Sequence, residues 1–104
     1  MEHSGIILLF FDLPVLTSGQ RRQYRKFMKY LKSSGFIRLQ ESVYVRLQRS
    51  VKATQYNITD IRNNAPDEGD IMVLPLTVNT FSKLTSVIGT AFDLPFLCDD
   101  VISI

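Results

Sequence analysis

The 104 residues leave room for one hydrophobic core and not for two, and with 45% hydrophobic and 21% charged residues the chain is globular rather than disordered. The longest apolar run, residues 6–11, ends at Asp12, far short of the ~20 residues that a membrane-spanning helix needs. No basic segment with an apolar core opens the sequence, and a lone cysteine, Cys98, can neither staple the fold nor build a metal cluster, so a single cytoplasmic domain over residues 1–104 is expected, with no membrane partner.

The net charge of +2 is unevenly spread. Residues 1–52 hold ten of the twelve Lys/Arg against three carboxylates, a balance of +7, while residues 53–104 hold two against seven, a balance of −5. Such a split suits attraction of a polyanion to one face, or docking of a basic face on an acidic partner.

In chain order, Ile6-Ile7-Leu8-Leu9-Phe10-Phe11 is too short for a confident helix and is bounded by Gly5 and Asp12-Leu13-Pro14. It reads as a central strand buried on both faces, ended by Pro14, which has no donor for a ladder. Thr17 or Ser18 can cap a following helix and Gly35 can close it. Between them Tyr24, Phe27, Met28 and Leu31 form one apolar stripe, and Arg21, Arg22, Arg25, Lys26, Lys29 and Lys32 share the arc beside and opposite it.

Residues 36–47 read as one long strand, with Val43, Val45 and Leu47 alternating against Ser42, Tyr44 and Arg46. Ser50 is expected to cap a second helix with Val51, Thr54, Ile58 and Ile61 inward, ending near Asn63-Asn64-Ala65-Pro66. After the turn Asp67-Glu68-Gly69-Asp70, residues 71–77 form a strand that Pro75 marks as an edge or a bulge. Asn79 is expected to cap a short helical turn, residues 85–88 to form a further strand, and residues 101–104 an extra one. The fold class is therefore α/β (α+β): a ferredoxin-like βαββαβ sandwich with two helices on one sheet face and an apolar opposite face that invites dimerisation. The tail from Thr90 is a candidate for docking a partner or a second protomer.

Asp12 has two readings. It can be a turn carboxylate before Leu13-Pro14, or a divalent-metal ligand, in which case two copies related by a dimer axis would share Mg²⁺ with water and phosphate oxygens. The cationic helix, backed by Arg38, Arg46, Arg49 and Lys52, has no acidic residue between Asp12 and Glu41 to neutralise it, which favours phosphate-backbone binding without base readout. Arg21, Arg22, Arg25, Lys26, Lys29, Arg38 and Tyr44 are the candidate nucleic-acid contacts. Tyr24 and Phe27 read as core. His3, Cys98 and Ser42 lack the partners that a base, a ligand or a nucleophile requires, and no Gly-rich phosphate loop is present.

Several segments in order resemble the Cas-two family: Phe11-Asp12-Leu13-Pro14, Arg21-Arg22-Gln23-Tyr24-Arg25-Lys26-Phe27, Gly35-Phe36 leading to Leu39-Gln40-Glu41-Ser42-Val43-Tyr44, then Gly69-Asp70-Ile71-Met72-Val73-Leu74-Pro75-Leu76-Thr77 and Phe81. The resemblance covers roughly residues 5–89. It implies a ferredoxin-like homodimer that joins Cas-one integrase subunits and supports double-stranded DNA during spacer acquisition, acting more as scaffold than catalyst. It also implies, for many members, Mg²⁺-dependent endonuclease activity on RNA or double-stranded DNA. The family's strand-terminal aspartate falls on Asp12, as catalytic and metal-binding residue, and its other implicated positions fall on Arg22, Arg25, Lys26, Arg38 and Tyr44. Where relatives often carry tyrosine before the aspartate this chain has Phe11, a hydroxyl fewer near the expected site. Two alternatives stand beside the scaffold: a metal-dependent, toxin-like endoribonuclease, and a ferredoxin-like interaction domain that binds no nucleic acid.

Overall fold

The computed structural model describes residues 5–89. β1 (Gly5–Asp12), α1 (Ser18–Ser33), β2 (Ile37–Gln40), β3 (Val43–Gln48), α2 (Thr54–Asn63) and β4 (Asp70–Thr77) follow one another, with a 3₁₀ turn at Val51–Ala53 before α2 and a short helical turn, α3 (Val78–Phe81), after β4. The sheet order is β2-β3-β1-β4 with every neighbouring pair antiparallel. That order and connectivity make a split βαβ sandwich of the ferredoxin-like kind. No helix among the described residues is long and apolar enough to cross a membrane.

β1 lies at the sheet interior because both its faces are apolar. Ile7, Leu9 and Phe11 point toward the helices and join Phe27, Leu31, Phe36 and Ile61 in one buried cluster. Ile6 points the other way and meets Val45 and Phe81, with Leu8, Ile37, Leu47, Leu76 and Val78 around them. α3 thus covers the Ile6 end of the second face and leaves the Asp12 end open, where Met72 and Leu74 are 67% and 46% exposed. Pro75 sits in β4, an edge strand, and pairs only with Ile7 of β1.

α1 begins with a capping box: the Thr17 hydroxyl accepts from the Gln20 amide at 3.0 Å and the Gln20 side chain accepts from the Thr17 amide. It ends on Gly35 at φ +87°, with the Phe36 amide donating to the Leu31 carbonyl. The stripe of Phe27 and Leu31 is buried, with Tyr24 and Met28 packed beside it. Across the helix layer the Tyr30 hydroxyl donates to Asp60 at 2.6 Å, and burial together with that carboxylate pushes the phenol pKa up to about 12.

Four sequence expectations are corrected. Residues 36–47 are a hairpin, not one strand: Glu41 and Ser42 turn the chain, and the β2–β3 register shifts between Arg38 and Gln40. Thr77, not Asn79, caps α3 by accepting from the Thr80 amide at 3.0 Å. Residues 85–88 form no strand, and Val87 and Ile88 stand exposed. On α2 the buried positions are Thr54, Asn57 and Ile61, while Val51 lies exposed in the 3₁₀ turn. Asn57 goes inward because both its amide nitrogen and its oxygen find partners, donating to Gln48 Oε1 at 2.7 Å and accepting from Arg46 Nη2 at 2.9 Å. The readings placed on His3, Cys98, the tail from Thr90 and the extra strand at 101–104 lie outside the described residues.

Candidate nucleic-acid interface

Alternation along β1 sets the two sides of the site. Phe10 and Asp12 share the open face, and Phe11 points to the helices. Phe11 is buried among Tyr24, Phe27 and Tyr44, with ring centroids 6.0, 6.2 and 5.9 Å away. A tyrosine hydroxyl at this position would therefore enter the helix-side aromatic cluster and not stand beside the Asp12 carboxylate, so its absence says little about that carboxylate.

Asp12 is exposed, and its direct register partner on β4 is Asp70, which is exposed as well. Two carboxylates on neighbouring strands thus flank one end of the open apolar face. Asp70 was not singled out from sequence, because only the long-range β1–β4 register brings it opposite Asp12. Gly69 makes that register attainable. Its φ is +102°, and a Cβ there would lie 2.7 Å from the Asp12 carbonyl oxygen and 2.8 Å from Leu13 Cδ2. Like charges directly opposite one another across strands are destabilising. Asp70→Asn should therefore raise folding stability by roughly 0.2–1 kcal/mol, measured as an increase in the urea midpoint at unchanged slope.

The second component is α1. Its 16 residues contain no carboxylate, and Arg21, Arg22, Arg25, Lys26, Lys29 and Lys32 are all exposed, along a length of about 24 Å at 1.5 Å per residue. Arg22, Arg25, Lys26 and Lys29 recur at three- and four-residue intervals, so they share one stripe. The acidic loop before β4 is held by neutral side chains and not by these cations. Gln23 donates to Asp67 Oδ2 at 3.2 Å and accepts from the Asp67 amide at 2.8 Å, while Gln20 donates to Glu68 at 3.3 Å.

The remaining candidates divide. Arg38 is exposed on β2, in register with Tyr44. Tyr44 is half-buried, its hydroxyl donates to Met28 Sδ at 3.5 Å, and burial raises its pKa against the lowering effect of Arg38. Arg46, expected to back the cationic surface, points inward instead. It lies 4.5 Å above the Phe36 ring and donates to the Ser34 carbonyl at 3.0 Å and to Asn57, with burial depressing its pKa. Ser42 acts through its carbonyl, which accepts from the Phe11 amide at 3.1 Å. Arg49 and Lys52 are exposed.

A ferredoxin-like sandwich with a cationic helix on one side and paired carboxylates at the end of an open sheet face is the class of protein that fold and site define. The family model "CRISPR associated protein Cas2" matches residues 6–84. Among similar proteins, the CRISPR-associated endoribonuclease Cas2 of Treponema denticola is 40% identical over 83 residues, covering 80% of this chain and 82% of that one. Proteins of the same description from Ligilactobacillus salivarius and Acidovorax ebreus are 37% and 35% identical over 83 residues, again 80% of this chain, and 82% and 81% of theirs. The chain belongs to the Cas2 family.

Proposed function

We propose that the protein is the duplex-DNA-binding scaffold of CRISPR spacer acquisition, working as a homodimer alongside a Cas-one integrase. One observation carries this reading: Arg22, Arg25, Lys26 and Lys29 form an exposed stripe on α1 with no carboxylate on the helix, while the chain's own acidic loop is engaged by Gln20 and Gln23. A single-sign ridge of this length suits a sugar–phosphate backbone, and nothing on it is arranged to read base edges, so binding is independent of sequence. The partly uncovered apolar face around Phe10, Met72 and Leu74 supports dimerisation through the sheet. A two-fold axis there would bring two Asp12/Asp70 pairs to one interface.

The Asp12/Asp70 pairing favours a second reading, an endoribonuclease, the activity named for the relatives, with a metal ion held by these carboxylates. Carboxylate oxygens suit Mg²⁺, which is commonly held by one or two carboxylates with water and phosphate oxygens completing its shell. Among the described residues no group of three or more potential ligands gathers within one protomer, so Asp12 and Asp70, doubled by a partner, are the residues that would hold it. When bound, the ion would supply an activated water and offset charge on the scissile phosphate. The chain's own part is to hold both carboxylates exposed and in register at the end of the open sheet face.

The two readings separate on Asp12→Ala. In cells carrying an array and the integrase, this variant should keep acquiring spacers, and the purified variant should keep binding duplex while losing any Mg²⁺-dependent cleavage of RNA. Loss of acquisition with duplex binding intact would exclude a purely scaffolding role.

A further inference from the structure

Arg21 differs from the other cations of α1. Its Nη1 donates to the carbonyl oxygens of Val15 at 3.1 Å and Leu16 at 2.9 Å. The preceding side chain completes the same task from the acceptor side: Gln20 Oε1 takes the amides of Leu16 at 2.8 Å and Thr17 at 3.0 Å. Two consecutive residues in the first turn of α1 therefore satisfy four backbone groups of the segment that leads from Asp12 into the helix. On its other side the segment abuts Gly69, whose missing Cβ would meet Asp12, Leu13 and Pro14 within 2.7–3.0 Å. The loop is gripped from two directions, and it holds Leu16 86% exposed and Val15 46% exposed.

An exposed loop with free carbonyls would ordinarily be solvated and mobile. A guanidinium whose Nη1 is shared between two carbonyls has one preferred orientation, with that nitrogen directed along its own chain rather than outward to a phosphate. We infer that Arg21 is a positioning residue and makes no phosphate contact. It fixes the loop that joins Asp12, at the end of β1, to the helix that carries the phosphate-binding stripe of Arg22, Arg25, Lys26 and Lys29, so that the carboxylate and the stripe keep one relative placement. Positioning at this level matters because small misplacement of a bound backbone relative to a reacting group is costly in rate. The inference rests on the proposed backbone-binding role of α1, and only its turnover consequence rests on Asp12 as a metal-binding carboxylate.

The test compares Arg21→Ala with Arg22→Ala. Duplex binding is measured against salt, and amide hydrogen exchange is followed residue by residue. Arg22→Ala should flatten the log–log salt slope by about one and leave exchange of the Leu16 and Thr17 amides unchanged. Arg21→Ala should keep the wild-type slope and speed exchange of those amides by at least about tenfold, as expected when a local constraint is lost. If the wild type cleaves RNA with Mg²⁺, Arg21→Ala should lower kcat with KM unchanged, and Arg22→Ala should raise KM. A slope change for Arg21→Ala equal to that of Arg22→Ala, or unaltered loop exchange, would overturn the inference. A wild type with no cleavage that Asp12→Ala can remove would instead overturn the metal-site reading, leaving Arg21 to be judged on slope and exchange.

Discussion

Gly69→Ala should lower the melting temperature by at least about 10 °C. Two costs add. A residue with a side chain held at φ +102° carries backbone strain of about 1–3 kcal/mol. The new Cβ would also press on the Asp12 carbonyl and the Leu13 side chain at under 3 Å, and overpacking of a fixed neighbour costs roughly another 1–3 kcal/mol. In a domain of this size each kcal/mol moves the midpoint by about 4–8 °C. The damage should be local in origin, since the atoms in conflict are the backbone of Asp12 and its loop, so the Asp12 end of β1 should lose exchange protection first. Gly19→Ala is the natural control. Its Cβ would meet nothing closer than Thr17 Oγ1 at 3.9 Å, and it lies in the first turn of α1, where alanine is favoured over glycine by up to about 1 kcal/mol. That variant should be as stable as the parent or slightly more so.

The second large effect is on binding. Arg22→Glu combined with Lys26→Glu should weaken duplex affinity by at least about 100-fold at moderate salt. At contact distance in water, one charge pair is worth about 1 kcal/mol, so reversing a sign changes each site by about twice that, or roughly 4 kcal/mol for two sites. Counterion screening reduces this to roughly 3 kcal/mol, still about two orders of magnitude. Because both side chains are exposed on the outer stripe of α1, folding stability should be almost unaffected, and thermal melts of parent and variant should overlay. An equal loss of stability would place these residues in the fold rather than in the interface.

Much of the fold was readable from local chemistry. β1 announced itself by six apolar residues between Gly5 and Pro14, and α1 by a capping residue, a 3.6-residue apolar stripe and a terminal glycine. The β2–β3 hairpin was not, because Glu41 and Ser42 turn the chain without glycine, asparagine or proline and without any positive φ, so alternation ran through the turn unmarked. Thr85, Val87 and Ile88 mislead for the opposite reason: their β-branched side chains favour a strand, but propensity alone does not supply a pairing partner.

Within the site, Asp12 and the outward cations of α1 were visible because strand ends and helix faces follow from spacing. What sequence could not convey was direction and partnership. Arg46 turns inward to Phe36, Ser34 and Asn57, Arg21 turns onto the loop carbonyls, and Asp70 acquires its place only through pairing with Asp12. Counted by residue type, Arg21 and Arg46 look alike; by geometry Arg46 is turned into the fold, while exposed Arg21 directs Nη1 at its own loop.

The central claim is that outward-facing cations of α1 take up a sugar–phosphate backbone, and titrating duplex affinity of the unmodified protein against salt addresses it most directly. With roughly five phosphate contacts, the logarithm of the association constant should fall with the logarithm of salt concentration at a slope of about −4 to −5, whatever the duplex sequence. A flat response, or no binding at low salt by a protein that still dimerises, would contradict the account and leave the chain an interaction domain for an acidic partner.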